Sequence, residues 1–169
     1  MLSIEIIKQY LPLCWLKNNP LELTRSVNFF KQNLTIYFIV EYFMQANMTD
    51  DPFESFVEVS IQMILALFFI GLMLRLNKNL NTFIQVTSSI LVCSNVIAVF
   101  VIPVLIWLTV NEDVLSYYCL TLLFIWEFTV IAYILRKALT VNSVASLALS
   151  LVYFIFTYLG AFALGQVLV

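Results

Sequence analysis

Two glutamates stand inside apolar runs where no water is expected: Glu127 within "LLFIWEFTVIAYILRKAL" (Leu122–Leu139), and Glu41 within "NLTIYFIVEYFMQANM" (Asn33–Met48). A carboxylate held in hydrocarbon costs roughly 2.5–3.5 kcal/mol on insertion scales, so an intramembrane acid is by default a candidate for binding a proton or a cation. Other chemistry is scarce. The chain has no histidine, which removes the commonest general base and transition-metal ligand. Its three cysteines, Cys14, Cys93 and Cys119, form no Cys-x-x-Cys pair, and no metal site or disulfide framework is expected. No Gly-x-Ser-x-Gly, P-loop or dinucleotide fingerprint is present, and the only glycines are Gly71, Gly160 and Gly165. The residues point away from an enzyme and imply no cofactor.

The elements that hold these acids follow from composition. Of 169 residues, 63% are hydrophobic and 11% charged, with mean hydropathy +1.00, which places the chain in the membrane class. A net charge of −2 without a basic cluster gives nucleic acid nothing to bind. A spanning helix needs about 20 apolar residues. The segments 56–76, 83–108, 115–135 and 144–169 meet that length, and 33–48 is a shorter candidate that contains Glu41.

Charge decides the fifth. Along the chain the polar segments alternate in sign: Lys8, Lys17, Arg25 and Lys31; then Asp50, Asp51 and Glu54; then Arg75 and Lys78; then Glu112 and Asp113; then Arg136 and Lys137. Five spans put every lysine and arginine on one face, which the positive-inside rule makes cytoplasmic. The expected fold is all-α and polytopic: five transmembrane helices over 33–169, the N-terminus cytoplasmic, and residues 1–32 an amphipathic interfacial segment. The N-terminal stretch lacks the basic start and small-residue cleavage site of a secretory signal and is expected to be retained. In it, Asn19, Pro20 and Glu22 read as a helix start, followed at helical spacing by Leu23, Val27 and Phe30. Upstream, Ile4, Ile7, Leu11 and Trp15 make a second apolar stripe, which either lies on the membrane or packs onto the bundle.

With these spans Glu41 and Glu127 both lie roughly 12 Å below the cytoplasmic boundary, and Tyr153 at ~13 Å. Three readings stay open. The pair could form a proton or cation site. Two protonated acids could instead be bonded to Tyr153, Asn95 or a backbone carbonyl, or one acid could meet a polar group of a partner protein. Glu58, at the outer end of its span, is expected to reach water. Pro103 should kink the span 83–108, whose cytoplasmic half carries Gln85, Thr87, Ser88, Ser89, Ser94 and Asn95. Those polar groups read as interhelical glue or a lined path. Ser146, Ser150, Ala161 and Gly165 give the last span a small-residue face for close helix contact, within the chain or between subunits.

Three stretches together resemble the Yip family of small five-span membrane proteins: "NNPLEL" at 18–23, "NKNLNTFIQVTSSILVCS" at 77–94 and "WEFTVIAYILRKAL" at 126–139. The resemblance runs from about Asn18 to Gly165 and is to the prokaryotic type. It implies a bilayer-embedded interaction protein. The expectation is therefore a non-enzymatic scaffold, assembly factor or accessory subunit that binds lipids, other membrane proteins or itself, in a bacterial inner membrane. An endomembrane location and a proton- or cation-coupled transport role are the alternatives.

Overall fold

The computed structural model describes residues 2–48, 51–111 and 113–168; Asp50, Glu112 and Val169 lie outside them. The chain is helical throughout. After α1 (Leu2–Tyr10), two 3-10 turns, Leu11–Trp15 and Pro20–Glu22, lead to α2 (Val27–Ala46). Then come α3 (Pro52–Leu76), α4 (Phe83–Asn111), α5 (Val114–Leu139) and α6 (Ser143–Phe154). α6 passes through one π turn, Ile155–Leu159, into α7 (Gly160–Leu168).

Local chemistry sets the helix starts. Ser26, Asp51, Asp113 and Asn142 each accept, through a side-chain oxygen, a backbone N–H of the first turn they precede. Pro52 occupies the first turn of α3, where a missing N–H costs nothing. Pro103 lies inside α4 without ending it.

Among the described residues four helices are long and apolar enough to cross a membrane: Pro52–Leu76, Leu80–Asn111, Val114–Leu139 and Ser143–Val167. α2 is less apolar, yet its 20 residues extend about 30 Å, and it packs between α3 and α4. Its pairing with α3 is antiparallel, since Gln62 Nε2 donates to the Tyr37 hydroxyl (3.1 Å) and Gln45 Nε2 to Glu58 Oε2 (2.6 Å). α4 packs on α5, α5 on α6, and the π turn and α7 return to α3, so five rods close a ring. Because successive rods alternate in direction, all lysines and arginines gather at one end, while Asp51, Glu54 and Asp113 sit at the other.

The N-terminal segment departs from expectation. Asn19 does cap, accepting from Leu21 N at 3.2 Å, but only a 3-10 turn follows, and α2 begins at Val27 rather than after residue 32. Nor is the segment a helix laid on a surface. Ile6, Tyr10, Leu13, Cys14, Pro20 and Leu23 are buried, whereas Ile7 and Trp15 are exposed; the Ile4 side chain lies outside the described residues. Pro12 ends the α-helical register, and the tighter 3-10 turn presents a different face. Leu16 and Asn18, both left-handed (φ 58° and 68°), then reverse the chain. The result is a wedge inserted between the basic ends of the rods.

Side chains of the rods catch the wedge's carbonyls. Trp126 Nε1 donates to Cys14 O (2.8 Å), the Tyr133 hydroxyl to Asn18 O (2.9 Å), and Gln85 Nε2 to Leu21 O (3.3 Å) and Leu23 O (2.9 Å). Trp126 lies about 20 Å along α5 from its Leu139 end, so the wedge reaches well into the bundle. Such irregular backbone is tolerated at depth only when buried in protein. Within the wedge, burial pushes the Tyr10 phenol up to about 12, and its O–H is held to the Thr24 carbonyl at 3.0 Å.

The small-residue face of the last rod is internal and divided. Ser146 and Ser150 lie buried on the α6 half that packs on α5, the Ser150 hydroxyl donating to Phe128 O at 3.1 Å. Ala161 and Gly165 lie on α7, which packs on α3. A Cβ added at Gly165 would stand 2.8 Å from Glu58 Cγ. That approach corrects the expectation for Glu58, which is 6% exposed and bonded to Gln45 rather than to water.

Two variants test this packing. Gly165→Leu should destabilise the protein by about 1–3 kcal/mol through overpacking against Glu58. Gln85→Leu, which strands two buried carbonyls, should lose a similar ~1–3 kcal/mol. Denaturant titration in detergent reads both, and Gln85→Leu alone should also speed proteolytic cleavage within residues 5–25.

Candidate functional site

Where the closed ring leaves space, the two acids meet. α2 presents Glu41 and α5 presents Glu127 to one cavity of about 190 Å³, which also receives Ser94 from α4 and Tyr158 from the π turn. Glu127 lies about 20 Å from one end of α5 and about 18 Å from the other. The cavity is therefore central, and its walls run on toward the acidic end past Leu105, Leu120 and Met48.

Each acid has neutral partners. The Ser94 hydroxyl donates to Glu127 Oε1 at 2.8 Å. The Gln62 amide, which donates to the Tyr37 hydroxyl, also faces the Glu41 carboxyl. No lysine or arginine lines the cavity among the described residues. Hydroxyls and an amide orient a carboxyl without neutralising it.

The other two polar residues expected at the site are elsewhere. Asn95 turns to α2 and donates to Asn33 O at 3.2 Å, while its Oδ1 is buried without a partner. Tyr153 packs edge-on against Phe69 (5.6 Å) and lines a separate small space with Tyr37 and Thr87. Thr87 Oγ1 and Ser88 Oγ are likewise buried and unbonded.

Sequence reasoning missed Gln62 and Tyr158 and counted Ser94 only as one polar residue of its half-span. Gln62 carried a signal, since an amide deep in an apolar helix needs a partner. Tyr158 carried none, because the π turn that aims it inserts a residue into the helical period and shifts the face that 3.6-residue spacing predicts.

A second feature lies close to the acids. Cys14 Sγ and Cys93 Sγ, both buried, are 3.4 Å apart and tie the wedge to α4 one residue before Ser94. Among the described residues, no three histidine, cysteine, aspartate or glutamate side chains converge as metal ligands.

Ser94→Ala should leave a Glu127 oxygen without its donor and lower stability by about 1–3 kcal/mol, largely restored by Ser94→Thr. Thr129→Val, which removes a hydroxyl bonded only to the Ile125 carbonyl of its own helix, should stay within ~0.5 kcal/mol. Unfolding titrations of the three variants measure the contrast.

No family model, curated protein or solved structure matches this chain.

Proposed function

We propose that this protein is a non-enzymatic integral membrane protein whose function resides in the bundle itself: it takes up a proton or cation at Glu41 and Glu127. The observation that carries the reading is the meeting of two carboxyls from different helices in one cavity whose described lining contains no basic residue. Intramembrane acids are rare and mark ion and proton pathways when they face a cavity.

The proposal includes α2 as a fifth crossing, with the basic end cytoplasmic. It is supported by the ~30 Å length of α2, its antiparallel packing on α3, and the sorting of charge between the two ends. A bacterial inner membrane is the location we propose.

A scaffold or accessory-subunit role, as the resemblance to the Yip family implies, is the second reading. One observation favours it: a groove of about 470 Å³ between α2 and α4 opens beside the acid cavity, where a partner helix could offer a basic side chain.

Topology is tested by cysteine labelling in a Cys119→Ser background. Asn47→Cys and Asn111→Cys should react from one side of the membrane, and Lys78→Cys and Asn142→Cys from the other. If Asn47→Cys shares a side with Lys78→Cys, α2 does not cross. For function, Glu127→Gln should abolish proton- or cation-dependent flux in proteoliposomes while the protein still purifies folded. Normal flux, or a stoichiometric membrane partner lost specifically in Glu127→Gln, would transfer the site to the second reading.

A further inference from the structure

The acid cavity does not stand alone. Met44, Met48 and Leu105 line both the cavity and the groove between α2 and α4, so the two spaces adjoin. The rest of the groove is largely apolar, with Val40, Phe43, Ile102 and Ile106 among its lining. Several of these side chains, Phe43, Met48 and Ile106 in particular, are exposed on the outside of the bundle. A polar, doubly acidic cavity thus lies beside an apolar slot on the outside of the bundle.

The donor set argues about what binds. The cavity sets two carboxyls, the hydroxyls of Ser94 and Tyr158 and the Gln45 amide among Ile97, Ala98, Val101 and other apolar groups. Such an apolar wall suits the methyl or methylene groups around an organic ammonium. The aromatic rings of Phe124 and Tyr158 in the same lining add faces attractive to such a cation.

We propose that the ligand is an organic monocation with an apolar arm, an alkylammonium, its charged head between Glu41 and Glu127 and its arm along the α2–α4 groove. This rests on the acid-site reading above and goes beyond it in naming the chemical class and the lateral route of entry. A head alone fills the cavity. The arm needs the groove, whose volume of about 470 Å³ admits a chain of several carbons.

The test is calorimetric titration of the purified full chain in lipid nanodiscs, with empty nanodiscs subtracted. Hexyltrimethylammonium should bind, tetramethylammonium should bind about tenfold or more weakly for want of the arm, and hexyl sulfate should not bind. Glu41→Gln and Glu127→Gln should each weaken the hexyl cation by about tenfold or more. Ile106→Trp, a lipid-facing change that narrows the groove and spares the acids, should weaken hexyltrimethylammonium but leave tetramethylammonium unchanged. Equal binding of hexyl sulfate, or hexyltrimethylammonium binding that survives the Glu41→Gln/Glu127→Gln double change, would overturn the proposal. If tetramethylammonium binds as tightly as the hexyl cation the apolar arm is wrong, and if sodium does the organic class is wrong; where that binding is lost in Glu127→Gln, the acid-site reading stands. If no cation binding depends on either glutamate, both fall.

Discussion

In a bundle that lipid surrounds, a polar group can be satisfied only by another part of the protein, and most of the described arrangement follows from that constraint. The helices obey it locally. Ser60, Ser89, Thr121, Thr129 and Thr157 each return a hydroxyl to a carbonyl of their own helix. The wedge obeys it across elements. Its carbonyls at Cys14, Asn18, Leu21 and Leu23 each accept from a rod side chain, Trp126, Tyr133 or Gln85. Glu58 obeys it too, buried under Gly165 with Gln45 as donor. Against that background Glu41 and Glu127 differ in kind: they have donors to orient them but open onto a cavity, and their lining carries nothing positive.

The two ends of the bundle are built differently. The basic end is filled: Tyr10, Leu13, Leu74, Val86, Ile134 and Leu135 form one buried cluster there, and the wedge threads through it. The acid cavity instead runs toward the acidic end, where α2 stops at Ala46 while α4 continues to Asn111. The groove lies there, between the last turns of α2 with Asn47 and Met48 and the facing Ile102, Leu105, Ile106 and Thr109 of α4.

Much of this was legible in the residues. Apolar run length located the four long rods, and the alternation of basic and acidic segments is the ground on which 33–48 was expected as a fifth. Counting residues from the helix ends brought Glu41 and Glu127 to one depth. The wedge was not legible, because an α-helical period read through Pro12 joins Ile7, Leu11 and Trp15 into one stripe. The 3-10 turn instead buries Leu13 and Cys14 and leaves Trp15 exposed. Glu58 was misplaced because nearness to a helix end was taken as access to water; the bare Cα of Gly165, more than a hundred residues away, lets α7 close over it. Tyr153 and Tyr158 exchanged roles for a similar reason, since one π turn decides which tyrosine faces the acids.

The most direct test of the central claim is modification of the protein in its own membrane by an apolar carbodiimide, with the site mapped by mass spectrometry. Such a reagent reaches carboxyl groups through hydrocarbon. The account predicts adducts at Glu41 or Glu127, none at Glu58 beneath Gly165, and little reaction of the two cavity acids with a water-soluble carbodiimide. Adducts at Glu58 with Glu41 and Glu127 untouched would show that the pair is sealed and that the cavity is not a site.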